Sequence, residues 1–200
     1  MPLLVDTDAF CKLGVAGLLK ETAGLVGANL SDCHRLPALP HMLRKGSLPR
    51  RYGANTCEAL IESAEKMMSA PPIDVAKLEP FVSIADIDPG EAQLLASVAN
   101  SDSLLVSGDK RALRAIKGSP DLVSAIGGRV MTIEAALLGI ADRIGLADLR
   151  TRASLVAPFD QTFKVCFSPS NEDPLACLHS YFTSLQAEVH PLALWAMSKS

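Results

Sequence analysis

The sequence predicts an α/β protein in which helices cover a central sheet on both faces. The stretch from Asp88 to Arg114 carries most of this prediction. Small and apolar residues recur at helical spacing from Ala92 to Ala99, and a continuous apolar run follows at Leu104–Val106. Such a run is typical of a parallel strand that is buried on both faces. Asp109 follows this strand, so we expect its carboxylate at the carboxyl edge of the sheet, where open α/β folds bind ligands.

A second predicted strand also ends in an acid. Residues 2–5 form a short apolar segment, and Asp6 follows it directly. Thr7 or Asp8 is expected to cap the helix that comes next. Asp6 would then lie between a strand end and a helix amino terminus, where free backbone N–H groups stabilise a carboxylate. That position fits a metal ligand, and it equally fits a helix cap.

These two segments together resemble a PIN domain. The motif Pro-Gly-Glu-Ala-x-Leu-Leu-Ala at 89–96 is followed by Ser-Gly-Asp-Lys at 107–110, and the chain opens with Leu-Leu-Val-Asp-Thr-Asp at 3–8. The resemblance covers roughly the first 150 residues, with residues 151–200 as a carboxyl-terminal extension. It implies a three-layer α/β/α sandwich with a mostly parallel sheet. It also implies a cytoplasmic, metal-dependent endoribonuclease, with a toxin controlled by an antitoxin protein as one branch of the family.

The resemblance implies a cluster of carboxylates as catalytic metal ligands, with Ser107 hydrogen bonded beside them. The four expected ligands are Asp6, Glu58, Glu91 and Asp109. Without a cation they would repel, because two carboxylates ~4 Å apart cost on the order of 4 kcal/mol at an effective dielectric constant of 20. Oxygen ligands suit hard cations, so Mg²⁺ or Mn²⁺ is the expected cofactor. The ion would activate a water for attack on an RNA phosphodiester.

Glu58 and Glu91 each have an alternative. Glu58 lies on a predicted helix over residues 56–68 and has no basic residue one turn further on, whereas Glu62 has Lys66 as a partner. Glu62 is therefore the substitute if Glu58 is not the helical ligand. Glu91 stands three positions after an N-cap acid at Asp88, which is the pattern of a capping box. The ligand and cap roles of Glu91 are not exclusive.

Two basic segments are the expected nucleic-acid contacts. Residues 33–57 contain no acid and are interpreted as a basic insertion of short helices and loops, and a second group of cations follows Asp109. The expected RNA contacts are Arg44, Lys45, Arg50, Arg51, Lys110, Arg111 and Arg114. Phosphate binding and a solvated surface are the two interpretations of these cations.

Composition excludes a generally cationic nucleic-acid binder, because the formal net charge is −3. The five cysteines are scattered and odd in number, so reduced thiols in the cytoplasm are expected. The chain shows neither a signal-peptide pattern nor an apolar stretch long enough to span a bilayer, so no membrane contact is expected.

The remaining segments predict strands at residues 81–84, 129–131 and 165–167, and helices at 132–144 and 173–189. The last helix has an apolar face that is expected to fold back on the domain or to form a homodimer contact. Two other functions stay open. One is a catalytically silent PIN-like module that binds RNA or protein. The other is a haloacid-dehalogenase-like phosphatase, because residues 5–8 resemble the nucleophile motif of that family.

Overall fold

The computed structural model describes residues 1–196 as a three-layer α/β/α sandwich, which confirms the predicted fold class. The sheet has five parallel strands in the order β3-β2-β1-β4-β5. The strands are β1 (Leu3–Val5), β2 (Cys33–Arg35), β3 (Met68–Ser69), β4 (Leu104–Ser107) and β5 (Val130–Thr132). In the centre of the sheet, Val5 pairs with Arg35 on one side and with Val106 on the other.

Helices connect the strands and follow the last one. Those before β4 are α1 (Thr7–Val15), α2 (Leu19–Leu25), α3 (Leu39–Arg44), α4 (Ser47–Tyr52), α5 (Ala54–Lys66), α6 (Val75–Val82) and α7 (Pro89–Ala99). Those after β4 are α8 (Lys110–Ile116), α9 (Pro120–Ile126), α10 (Ile133–Ile144), α11 (Leu146–Ala153), α12 (Gln161–Cys166) and α13 (Pro174–Val189). Within residues 1–196, no helix is both long and apolar enough to cross a membrane.

Alternation along the strands divides the core into two layers. Leu3 and Val5 face a core built with α1, α5 and α10, while Leu4 faces a second core built with α7 and α8. This division follows from the pleat of a strand, which sends successive side chains to opposite faces. Helix α13 closes both layers, because Leu178 packs in the first core and Leu185 in the second. The carboxyl-terminal extension therefore folds back on the domain.

Two predicted strands are wrong, and two strands, β2 and β3, were missed. Residues 81–84 end helix α6, and residues 165–167 lie at the end of α12, which Asp160 caps by accepting a hydrogen bond from the Phe163 N–H (3.0 Å). Short apolar runs fit a buried helix as well as a strand, which explains both errors. The basic segment 33–57 begins with strand β2, so it is part of the sheet and not only an insertion of helices and loops.

Candidate functional site

A cleft of about 560 Å³ opens at the carboxyl edge of the sheet, beside the ends of β1 and β4. The strand order changes direction between β1 and β4, and the ligands of open α/β folds usually bind at such a switch point. Five acids line the cleft: Asp6, Asp8, Asp88, Glu91 and Asp109. Apolar side chains of the segment after β2, of α3 and of α4 line it as well, including Leu36, Met42, Leu48 and Tyr52.

Asp6 is held by three hydrogen bonds at the end of β1. Its Oδ1 accepts from the Ala9 N–H (2.6 Å), and its Oδ2 accepts from the Ser107 hydroxyl (2.5 Å) and the Gly108 N–H (2.8 Å). Asp6 is therefore the N-cap of α1, and the prediction that Thr7 or Asp8 caps this helix is wrong. Burial raises the pKa of Asp6 to about 6, against the opposing effect of the Ser107 hydrogen bond. The predicted contact between Ser107 and the acidic group is present.

Glu91 and Asp109 each cap a helix at the same cleft. Glu91 and Asp88 form the predicted capping box of α7, because the Glu91 carboxylate accepts from the Asp88 N–H and the Asp88 carboxylate accepts from the Glu91 N–H, both at 2.9 Å. Asp109 caps α8 by accepting from the backbone N–H groups of Arg111 (2.7 Å) and Ala112 (3.0 Å). Both carboxylates are thus fixed by short backbone contacts that leave part of each group facing the cleft.

The Glu91 and Asp109 carboxyl groups lie close enough for each to shift the pKa of the other. Burial, and to a lesser extent the interaction with Asp109, raises the pKa of Glu91 to about 8. Burial acts in the same direction on Asp109, but its interaction with Glu91 and its hydrogen bonds at the start of α8 outweigh burial and lower its pKa. In the absence of a cation, these opposite shifts of pKa favour the proton on Glu91 over Asp109.

Asp8 is a cleft acid that sequence reasoning treated only as a helix cap. Its carboxylate pairs with the Lys12 ammonium at 2.5 Å and lies 3.8 Å from the Arg51 guanidinium. The carboxylate packs against the backbone of Gly108, where a Cβ atom would collide with it and would lie 2.9 Å from Ile133 Cδ1. The spacing of Asp8 and Lys12, one helical turn apart, is the sequence signal for this ion pair.

Glu58 does not reach the cleft. It is exposed on α5 and is not among the residues that line the cleft, and Glu62 is exposed as well. The buried positions of α5 are Cys57, Leu60 and Ala64, which pack into the first core. The expected convergence of Glu58, or of its substitute, with the other three acids is therefore absent, and Asp8 is the acid found there instead.

Arg51 is the single member of the seven predicted RNA contacts that lines the cleft, and all seven belong to the described residues. Lys45 and Arg50 are exposed. The other four are held in ion pairs: Arg44 with Glu65 (2.8 Å), Lys110 with Glu134 (2.5 Å), Arg111 with Asp109 (3.2 Å) and Arg114 with Glu188 (2.6 Å). The cations therefore do not form one continuous phosphate-binding surface.

The donors around the cleft are oxygen atoms, but they are not gathered into a closed metal site. Within residues 1–196, no three His, Cys, Asp or Glu side chains form a group that could hold a metal ion. The Thr7 hydroxyl beside Asp6 is buried without a hydrogen-bond partner. Carboxylates and a hydroxyl suit a hard cation that keeps part of its water shell.

Comparison with protein-family models, with curated proteins and with solved structures returned no match for this chain. The fold and the geometry of the cleft are therefore the basis for any functional conclusion.

Proposed function

We propose that the chain is a Mg²⁺- or Mn²⁺-dependent endoribonuclease that hydrolyses RNA phosphodiester bonds at the cleft. The observation that carries the proposal is that Asp6, Glu91 and Asp109 line one cleft at the carboxyl edge of the sheet. Carboxylates in one cleft repel each other when they are ionised, and a divalent cation bound between them would remove that repulsion. PIN family membership, a toxin role with an antitoxin partner and a cytoplasmic location remain predictions from the motifs.

The residues present fit a hard divalent cation. Mg²⁺ is commonly held by one or two carboxylates, with waters and substrate phosphate oxygens completing its shell, so the missing group of three ligands does not conflict with it. Glu91 and Asp109 would hold the ion, with Asp6 behind them and Thr7 supplying a hydroxyl. A bound ion would supply an acidified water and would neutralise charge on the leaving oxygen. Ser107 keeps one Asp6 oxygen in place through its hydrogen bond.

Calorimetric titration of Mn²⁺ tests the site without a guess about the RNA sequence. We expect the unmodified protein to bind Mn²⁺, and Asp6→Asn and Asp109→Asn to abolish that binding. Asp102→Asn is the matched control, because Asp102 is exposed in the turn before β4 and lies outside the cleft. The same samples are then incubated with mixed RNA in Mn²⁺ or in chelator. Cleavage that persists in chelator would contradict the mechanism.

A catalytically silent binding module is the second candidate. Two observations favour it: the absence of a three-ligand group within residues 1–196, and the position of Glu58 outside the cleft. The two candidates separate in one experiment. A silent module would bind RNA equally well with and without Asp6→Asn or Asp109→Asn, and no RNA would be cleaved under any metal condition.

A further inference from the structure

Residues 157–160 of the carboxyl-terminal extension lie outside the lining of the cleft but contact Arg51, which lines it. The Arg51 guanidinium donates a hydrogen bond to the Phe159 carbonyl (2.7 Å). The Phe159 ring packs on Tyr52, the neighbour of Arg51, with 4.8 Å between ring centroids. Arg51 itself lies over the Tyr52 ring, 5.2 Å from its centroid. The 157–160 segment therefore contacts both the Arg51 guanidinium and the Tyr52 ring over which that guanidinium lies.

A second contact fixes the same segment to α1. The Asp160 carboxylate pairs with the Lys12 ammonium at 2.6 Å, and Lys12 also holds Asp8 at 2.5 Å. Asp8 in turn lies 3.8 Å from Arg51. The contacts thus close a ring that runs from the 157–160 segment through Lys12 and Asp8 to Arg51 and back. A long, half-exposed arginine side chain is thereby restricted in its orientation before any ligand arrives.

We infer that Arg51 is the phosphate-binding residue of the cleft and that the 157–160 segment positions it, so that the carboxyl-terminal extension contributes to RNA binding through its contacts with Arg51. The inference rests on the proposed function for the nature of the ligand. Among the predicted RNA contacts, Arg51 alone lines the cleft, and its side chain is 46% exposed. A guanidinium presents several donors in a fixed plane, which suits a phosphate group.

Binding of a labelled oligouridine RNA of about ten nucleotides tests the role of Arg51. Anisotropy is measured in Ca²⁺ over a range of salt concentrations, so the result does not depend on cleavage. We expect Arg51→Gln to raise Kd about tenfold and to reduce the slope of log Kd against log salt by about 0.7. Arg50→Gln is the matched control on the same helix, because Arg50 is exposed outside the cleft.

The role of the segment is tested by a double-mutant cycle. Phe159→Leu removes the ring against Tyr52, and we expect it to weaken RNA binding when Arg51 is present and to have no further effect in Arg51→Gln. Asp160→Asn serves as a second variant, since an asparagine retains a side-chain oxygen for the cap of α12 while it removes the charge that pairs with Lys12. The same dependence on Arg51 is expected.

Three results would overturn the inference. They are equal effects of Arg50→Gln and Arg51→Gln, equal losses from Phe159→Leu in both backgrounds, and no binding of the RNA by the unmodified protein. Loss of cleavage alone does not bear on it. A protein that binds RNA through Arg51 but never cleaves it would contradict the proposed ribonuclease and leave this inference standing.

Discussion

Two groups of carboxylates, each with at least one member in the lining of the cleft, differ in how their charge is balanced. The Asp8–Lys12–Asp160 cluster contains its own cation, whose ammonium pairs with both acids at 2.5 and 2.6 Å. Among residues 1–196, the cation that pairs with Asp109 is Arg111 at 3.2 Å, and its side chain is 73% exposed. The first group is neutralised within the fold, whereas the second depends on a proton.

The pKa values reflect this difference. Burial lowers the pKa of Lys12, but the charges of Asp8 and Asp160 outweigh burial and the net shift is upward. Burial raises the pKa of Asp160, and its ion pair with Lys12 outweighs that effect. By contrast, burial and the interaction with Asp109 raise the pKa of Glu91 to about 8. The comparison indicates that the first cluster stabilises structure, while the second is the place where a cation from solution would replace the proton.

Removal of the internal cation should have the largest effect. Lys12→Met would remove the ammonium that pairs with Asp160 and would leave Asp8 with only the more distant Arg51 guanidinium, and breaking such a buried pair typically costs about 3 kcal/mol of unfolding free energy. Urea unfolding of the metal-free protein measures this loss. Lys20→Met is the control, because Lys20 is exposed and its replacement should change stability by less than about 0.5 kcal/mol. Equal stability of the two variants would mean that solvent, not Lys12, balances the cluster.

The Glu91–Asp109 pair should give a smaller effect that depends on pH. The folded-state pKa of Glu91 is raised from 4.5 to about 8, so its protonated form contributes stability below pH 4.5, and this contribution is lost as pH rises toward 8. Glu91→Gln keeps an oxygen for the Asp88 N–H and carries no charge. We expect the metal-free variant to be more stable than the unmodified protein at pH 9 by about 1 kcal/mol, after allowance for solvent screening.

The measurement is thermal unfolding in chelator between pH 6.5 and pH 9, a window that lies above the pKa of about 6 for Asp6. Saturating Mn²⁺ should remove the difference between the two proteins. A variant that is less stable than the unmodified protein at every pH would show that Glu91 acts only as the cap of α7.

Local patterns in the sequence were sufficient for the elements that position Asp6 and Asp109. The continuous apolar run of β4 and the capping box of α7 depend only on neighbouring residues, so each can be predicted without knowledge of the rest of the fold. The order of these elements along the chain then predicts a parallel sheet with both acids at its carboxyl edge. The structure agrees with both predictions.

Contacts between segments that are distant in the sequence could not be predicted from local patterns. Strand β2 has the sequence Cys-His-Arg, and Arg35 is buried because its guanidinium donates to the Ala64 carbonyl (2.7 Å), a contact that only the folded chain supplies. The ion pair between Lys12 and Asp160 likewise joins α1 to the carboxyl-terminal extension. Residues of this kind look like ordinary surface charges until the packing of the helices brings them together.

The smallest effect is expected at Glu58, which belongs to neither group. Glu58→Gln removes one negative charge from an exposed position on α5, so Mn²⁺ affinity should stay within about twofold of the unmodified protein, because surface charges beyond a Debye length are screened. Glu91→Gln removes the same charge from the cleft and should lower that affinity at least tenfold. If calorimetry found equal losses for the two variants, the cation would be bound through the overall charge of the protein and not by the Glu91–Asp109 pair.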